Sequence, residues 1–246
     1  MTLVLNRSEL AGDFVTGGQD TVGVRVPDHV VALALLDAFE KLGGKGVAAP
    51  SANRFGRVSP TTAGAVIEEL GEYLESTDQI IDGGICAIGV ESTIIDCTSR
   101  RPKVLRPGAI TQSMIKSALA NLGDGLEKED FTQIEEQEDF AEINNELKEI
   151  RVSGSLVNHY APNARVYLHD KPQPGQGYIA YSKFETPIGV IRLASPINDE
   201  EFAIVLYAAL RQADKLSLTE IVVNPPTGLG IADAIRDRLL KSQFKS

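Results

Sequence analysis

Apolar and polar positions alternate over residues 21–27, TVGVRVP, which predicts a half-buried strand ending at Pro27. Residues 29–44, HVVALALLDAFEKLGG, carry apolar side chains at helical spacing and stop at Gly43 and Gly44, so they read as a helix with its terminator. The opening TLVL (2–5) reads as a strand with no turn or cap before it. GVAAPSAN (46–53) predicts a buried strand. SPTTAGAVIEELGEYL (59–74) predicts a helix with Ser59 as N-cap and Pro60 at the first helical position, where a missing N–H costs nothing. QIIDGG (79–84), ESTIIDCT (91–98) and KVLRPGAI (103–110) predict further strands, and TQSMIKSALANL (111–122) a helix capped by Thr111.

The texture then changes. Between Glu127 and Glu149 there are ten acidic residues and two lysines, with few large apolar side chains, as in a solvated linker. A second compositional unit starts near residue 163. It reads strand (ARVYLHD), strand (GYIAYS), strand (IGVIRLA), helix (DEEFAIVLYAALRQADKL), strand (EIVVNPP) and helix (GIADAIRDRLLKS). Strands alternating with helices describe a small open α/β domain. The predicted organisation is a first domain over 1–122, a linker over 123–162 and a C-terminal α/β domain over 163–246.

Length and composition bound the rest. The 246 residues, 43% of them apolar, suffice for one large or two small domains. The net charge of −10 supplies no overall basic field for nucleic acid. No apolar run approaches the roughly 20 residues that cross a bilayer, and the first residues are not a signal peptide. Cys86 and Cys97 stand in apolar settings and read as buried reduced thiols. These features describe an acidic, cytoplasmic α/β protein.

Short loops carry the chemistry: TGGQDTVGVR (16–25), APSANRFGRVSP (49–60), GVESTIID (89–96) and VLRPGAI (104–110). In an open α/β sheet, ligands bind where such loops converge at strand ends. Backbone N–H groups, serine hydroxyls and a helix N-terminus cradle phosphate oxygens. An arginine fork suits a carboxylate or phosphate. The parts for an anionic ligand are present, although the same residue types also make ordinary turns.

In this order and spelling, TVGVRVPDH, APSANRFGRVSPT, IDGG…GVESTIID and VLRPGAI resemble the YrdC-like threonylcarbamoyl-AMP synthases. HYAP (159–162) and the closing GLGIADAIRDRLLKS resemble the linker and C-terminal domain of the long form of that family. The resemblance implies an α/β fold: a twisted open sheet of YrdC-like type with a second, smaller Rossmann-like α/β domain. It implies an enzyme that joins L-threonine, bicarbonate and ATP, with Mg²⁺, into threonylcarbamoyl-adenylate and releases pyrophosphate. The product would pass to a tRNA-modifying transferase complex that makes threonylcarbamoyladenosine.

Carried onto this sequence, the resemblance places Arg25, Ala49 and Ser92 at the threonine. It places Thr21, Ser51, Asn53, Ser59, Arg106, His159 and Tyr160 at the nucleotide, with His159 and Tyr160 in a lid that excludes water. Thr21, Gly23 and Arg25 share one face of a period-two strand, which agrees with this assignment. Plainer roles stand beside these. Arg25 can be a surface arginine, Ser59 only a cap and Asn53 an Asx-turn residue. Arg106 can pair with Glu91 or Asp96, and His159 and Tyr160 can simply pin the linker. Asp28 and His29 read as structural at a helix start. No His or Cys reads as a covalent nucleophile, and no metal-ligand set is spelled out.

The family pattern also has an N-terminal threonine loop and a lysine–arginine motif that clamps the ATP phosphates. This sequence contains neither, and its first strand matches the family just after that segment. The chain therefore reads as lacking the family's N-terminal segment, and little synthase activity is expected from it alone. A different class of reading is a nucleotide- or RNA-binding module without catalysis.

Overall fold

The computed structural model of the protein describes residues 1–99, 102–120, 150–154 and 160–243. The acidic stretch predicted over 127–149 lies outside them. In chain order the elements are β1 (Thr2–Asn6), α1 (Asp13–Thr16), β2 (Thr21–Val24), α2 (Val30–Lys41), α3 (Ala63–Leu70), β3 (Ile94–Asp96), β4 (Lys103–Arg106), α4 (Gln112–Ala120), β5 (Arg165–Leu168), β6 (Gly177–Ile179), β7 (Ile191–Ala194), α5 (Asp199–Lys215), β8 (Glu220–Val223) and α6 (Ile231–Ser242). They divide into two compact units, Met1–Ala49 with Ser92–Ser155, and Pro50–Glu91 with Leu156–Ser246. Residues 50–91, read from the sequence as part of the first domain, cluster with the C-terminal residues. Val58 and Val90 enter the same apolar core as α5, β8 and α6.

The first unit is a four-stranded sheet in the order β2-β1-β3-β4. β1 runs antiparallel to β2 and parallel to β3, and β3 antiparallel to β4. Val4, Ile94 and Ile95 form its buried apolar centre. β2 stops at Val24, short of the predicted end at Pro27. Val24 already faces Leu3, one residue from the start of β1, so the ladder runs out of partner. α2 forms where the apolar spacing predicts it, and Gly43 follows at φ 90°, yet none of its side chains is buried. α4 starts as read, with Thr111 Oγ1 accepting from the Met114 N–H at 3.2 Å.

Two predicted strands are absent. Residues 46–52 are exposed and unpaired in any sheet. Ala, Ser and Pro have little side chain to pack on a pleated surface, which outweighs the single Val47. Residues 79–84 are likewise irregular, with Ile81 57% exposed. There Asp82 Oδ1 accepts from the Gly84 N–H at 2.8 Å, an Asx turn that competes with strand pairing.

The second unit holds a parallel sheet in the order β5-β8-β6-β7. Its strands read as apolar runs because helices cover them: Ile221, Val222 and Val223 are fully buried, as are Ile179 and Ala180. α5 contributes Phe202, Leu206, Tyr207 and Leu210, and α6 contributes Ile235 and Leu239. Asn198 caps α5 by accepting from the Glu201 N–H at 2.8 Å, and acidic residues fill its first turn. α3 begins later than predicted. Thr62, not Ser59, is its N-cap, and Thr62 Oγ1 accepts from the Ala65 N–H at 3.1 Å.

Candidate functional site

In the first unit the candidate residues fall at the sheet ends. Ser92 lies just before β3, and Arg106 closes β4. Arg106 is buried and donates from Nε and Nη2 to the Ser92 carbonyl at 3.0 and 2.8 Å, and from Nη1 to the Ser153 carbonyl at 2.8 Å. The planar guanidinium holds the Ser92 carbonyl in a two-donor fork. The Ser92 hydroxyl lies 3.3 Å from Thr2 Oγ1. Arg25 follows β2 at the same end and is exposed. The Met1 ammonium lies within the fields of both arginines. Burial, then Arg25, with Arg106 adding, holds its pKa below the usual amine value, while Asp28 opposes them. Arg25, Ser92 and Arg106 therefore share one end of the sheet.

Thr21 does not join them. It pairs with Asn6 at the other end of the β1–β2 ladder, four residues or roughly 13 Å of extended chain from Arg25. Thr21 and Arg25 are thus separated along the strand direction. Ala49 is exposed and outside any strand.

In the second unit, residues 51–59 form an irregular loop. Ser51 is exposed. Asn53 Nδ2 donates to the carbonyls of Arg54 and Arg57 at 2.8 and 3.2 Å, so it closes a local turn. Its Oδ1 is buried and has no protein partner among the described residues, leaving an acceptor for a ligand donor. Ser59 is buried and donates to Glu91 Oε1 at 2.7 Å. Arg106 donates to the Ser92 and Ser153 carbonyls, whereas Glu91 pairs with Arg238, Nε to Oε2 at 2.8 Å.

Tyr160 is 1% exposed, adopts φ 63° and stacks on Tyr207 at a centroid distance of 5.7 Å, with the Arg238 guanidinium 5.4 Å from its ring. A non-glycine residue in the left-handed region holds only where its surroundings fix it. His159 lies outside the described residues. The Tyr207 hydroxyl donates to Glu91 Oε2 at 2.8 Å. Burial first, and the Glu91 charge second, push its pKa well above the phenol range. Burial alone would lower the Arg238 pKa. The partial and full negative charges of Tyr207, Glu91, Tyr160 and Asp237 reverse that, so it stays firmly cationic.

Sequence reasoning missed Glu69, Tyr207, Arg211 and Arg238. Each sits within a helix pattern, where apolar spacing accounts for its neighbours and gives no sign of a polar role. A buried arginine at position 238, amid the apolar face of α6, is the one signal in retrospect.

Among the described residues no group of three or more His, Cys, Asp or Glu side chains could hold a metal ion, and no helix is long and apolar enough to cross a membrane.

Together these features define an α/β protein whose loops carry hydroxyl, amide and guanidinium groups. The family description "Telomere recombination" matches residues 1–108, and "Threonylcarbamoyl-AMP synthase, C-terminal domain" matches residues 110–243. The threonylcarbamoyl-AMP synthase of Pyrococcus abyssi is 34% identical over 257 residues, spanning 98% of this chain and 69% of that protein. The Bacillus subtilis synthase is 31% identical over 265 residues with the same coverages. Two solved structures of P. abyssi Sua5 are similar at 30% identity: an adjacent His/Tyr double-alanine variant (TM-score 0.73; 98% of this chain, 68% of that one) and the complex with L-threonine (TM-score 0.71; 98% and 69%). The chain belongs to the threonylcarbamoyl-AMP synthase family.

Proposed function

We propose that the protein binds L-threonine and ATP and serves the synthesis of threonylcarbamoyl-adenylate for tRNA modification. The observation that carries this is similarity over 98% of the chain to the P. abyssi synthase, whose structure with L-threonine has the same fold. In this reading the exposed Arg25 takes the threonine carboxylate, with Ala49 and Ser92 beside it. Arg106 serves the nucleotide while bracing Ser92, and Thr21 lies by the phosphates. Ser51, Asn53, Ser59, His159 and Tyr160 are the remaining nucleotide residues. His159–Tyr160 is the only His–Tyr step in this sequence, and an adjacent His and Tyr are the residues replaced in the P. abyssi variant.

The reaction is assembly by proximity. The threonine amine adds to bicarbonate with loss of water, or to carbon dioxide with loss of a proton, to give a carbamate. A carbamate oxygen attacks the α-phosphorus of ATP, and the bond to the β-phosphate breaks to release pyrophosphate. Mg²⁺ enters as the counter-ion of ATP and neutralises the leaving group.

Calorimetric titration tests the reading. L-Threonine is expected to bind saturably, and Arg25→Ala to weaken it by about tenfold or more, as for a lost charge-assisted bond. No saturable L-threonine binding by the wild type would overturn the proposal.

A further inference from the structure

Within the second unit, loop 51–59 is tied to α5 and α6 through two carboxylates. Glu91 accepts from Ser59 on Oε1, and from Tyr207 and Arg238 on Oε2. Glu69 accepts from Arg54 Nε at 3.0 Å on Oε1, and Arg211 Nη1 lies 3.5 Å from Oε2. Arg211 Nη2 also donates to the Val58 carbonyl. Each carboxylate thus has one oxygen turned to the loop and the other to the C-terminal helices.

We propose that Tyr207, Arg211 and Arg238 are positioning residues for the nucleotide loop, acting through Glu69 and Glu91. The inference rests on the reading above that loop 51–59 contacts ATP. A loop that needed only cover would be served as well by apolar packing, since buried ion pairs give little net stability over hydrophobic isosteres. Directional bonds instead fix where each loop group sits. Ser59 has its hydroxyl aimed by Glu91, and Val58 has its carbonyl aimed by Arg211. The cation that holds Glu91 is itself fixed. Arg238 has no side-chain exposure and bonds to Asp237, which in turn pairs with Lys241 at 2.9 Å. Placement to within a fraction of an ångström is what a binding site asks of the groups behind its contact residues.

The test compares wild type with Tyr207→Phe and Arg211→Met. Arg238→Met is set aside because it leaves Glu91 and Asp237 without their buried cation and endangers folding. Calorimetry measures Mg·ATP and L-threonine binding separately, and amide hydrogen exchange follows residues 54–59. In both variants ATP is expected to bind about five- to tenfold more weakly, the size of one lost hydrogen bond expressed as affinity. Amides 54–59 should exchange faster, threonine affinity should stay within about twofold of wild type, and β8 amides should remain protected. Variants that melt earlier but keep wild-type ATP affinity and loop exchange would show a merely structural role and overturn the proposal. A wild type that binds L-threonine but no ATP would overturn the nucleotide reading of the loop, and this inference with it.

Discussion

Ser59 and Glu91 meet through a 2.7 Å hydrogen bond in which the serine hydroxyl donates. The same carboxylate holds Arg238, whose side chain has no solvent exposure. Glu91→Ala takes one carboxylate from that buried cation, which keeps Asp237, and is expected to destabilise the second unit by about 3 kcal/mol. Ser59→Ala removes one bond and leaves the ion pair, at about 1 kcal/mol. Urea denaturation followed by circular dichroism gives both values, and similar costs for the two would contradict the arrangement.

Thr62 caps α3, while Ser59 faces Glu91. Thr62→Ala is therefore expected to cost about 1 kcal/mol, and Thr62→Asp to restore most of it. Ser59→Asp places a second carboxylate against Glu91 and is expected to lower the melting temperature rather than raise it. A stabilising Ser59→Asp would reassign the cap.

Gly89 has φ 78°, and an added Cβ would overlap the Ala203 carbonyl of α5. Gly84 has φ 86° but open space around it. Gly84→Ala is expected to cost only the backbone strain, about 1–2 kcal/mol. Gly89→Ala adds overlap with backbone, which has no rotamer by which to move away, and is expected to cost more or prevent folding. Equal melting temperatures for the two variants would show that α5 does not press on Gly89.

Burial would raise the Glu69 pKa, but hydrogen bonds from Arg54 and the charges of Arg54 and Arg211 outweigh it and hold it below the usual carboxylate value. The unfolded chain then binds the proton more readily, so stability rises with pH. The contribution is complete above the unfolded glutamate value of about 4.3 and disappears as pH falls through the folded one. With Arg54 half exposed, the gap between wild type and Glu69→Gln is expected to be about 1 kcal/mol at pH 7. It should close below about pH 4. Melting curves across pH 3–7 read it directly, and a gap independent of pH would refute the charge assignment.

The C-terminal half was largely legible. β5 to β8, α5 and α6 form where apolar runs and helical spacing predict them, because one shared core rewards the same periodicity at every element. The residues 46–53 and 79–84 were misread for the opposite reason. Val47, Ile80 and Ile81 read as strand residues, but among the described residues no strand pairs with them, and turn chemistry at Asp82 wins locally. The wrong cap at Ser59 came from a real signal, Ser-Pro before an apolar stretch, overridden by a carboxylate 32 residues away. At the candidate site, strand spacing put Thr21 and Arg25 on one face but was silent on where a ligand would sit along it. The Arg106 fork onto Ser92 needs two strands in register and has no local trace.

Among the described residues the apolar centre of the first unit is Val4, Ile94 and Ile95, whereas the second has interlocked tyrosines, leucines and isoleucines from three layers. The two halves will not fail together. Gentle warming will loosen the thinner unit first, while the second, built from residues 50–91 together with the C-terminal residues, holds longer. A sample whose first unit has come apart will then still look folded by far-ultraviolet dichroism. Purity and helical signal are accordingly poor guides to competence for this protein, and every assay needs a probe, such as proteolytic mapping, that reports on residues 1–49 separately.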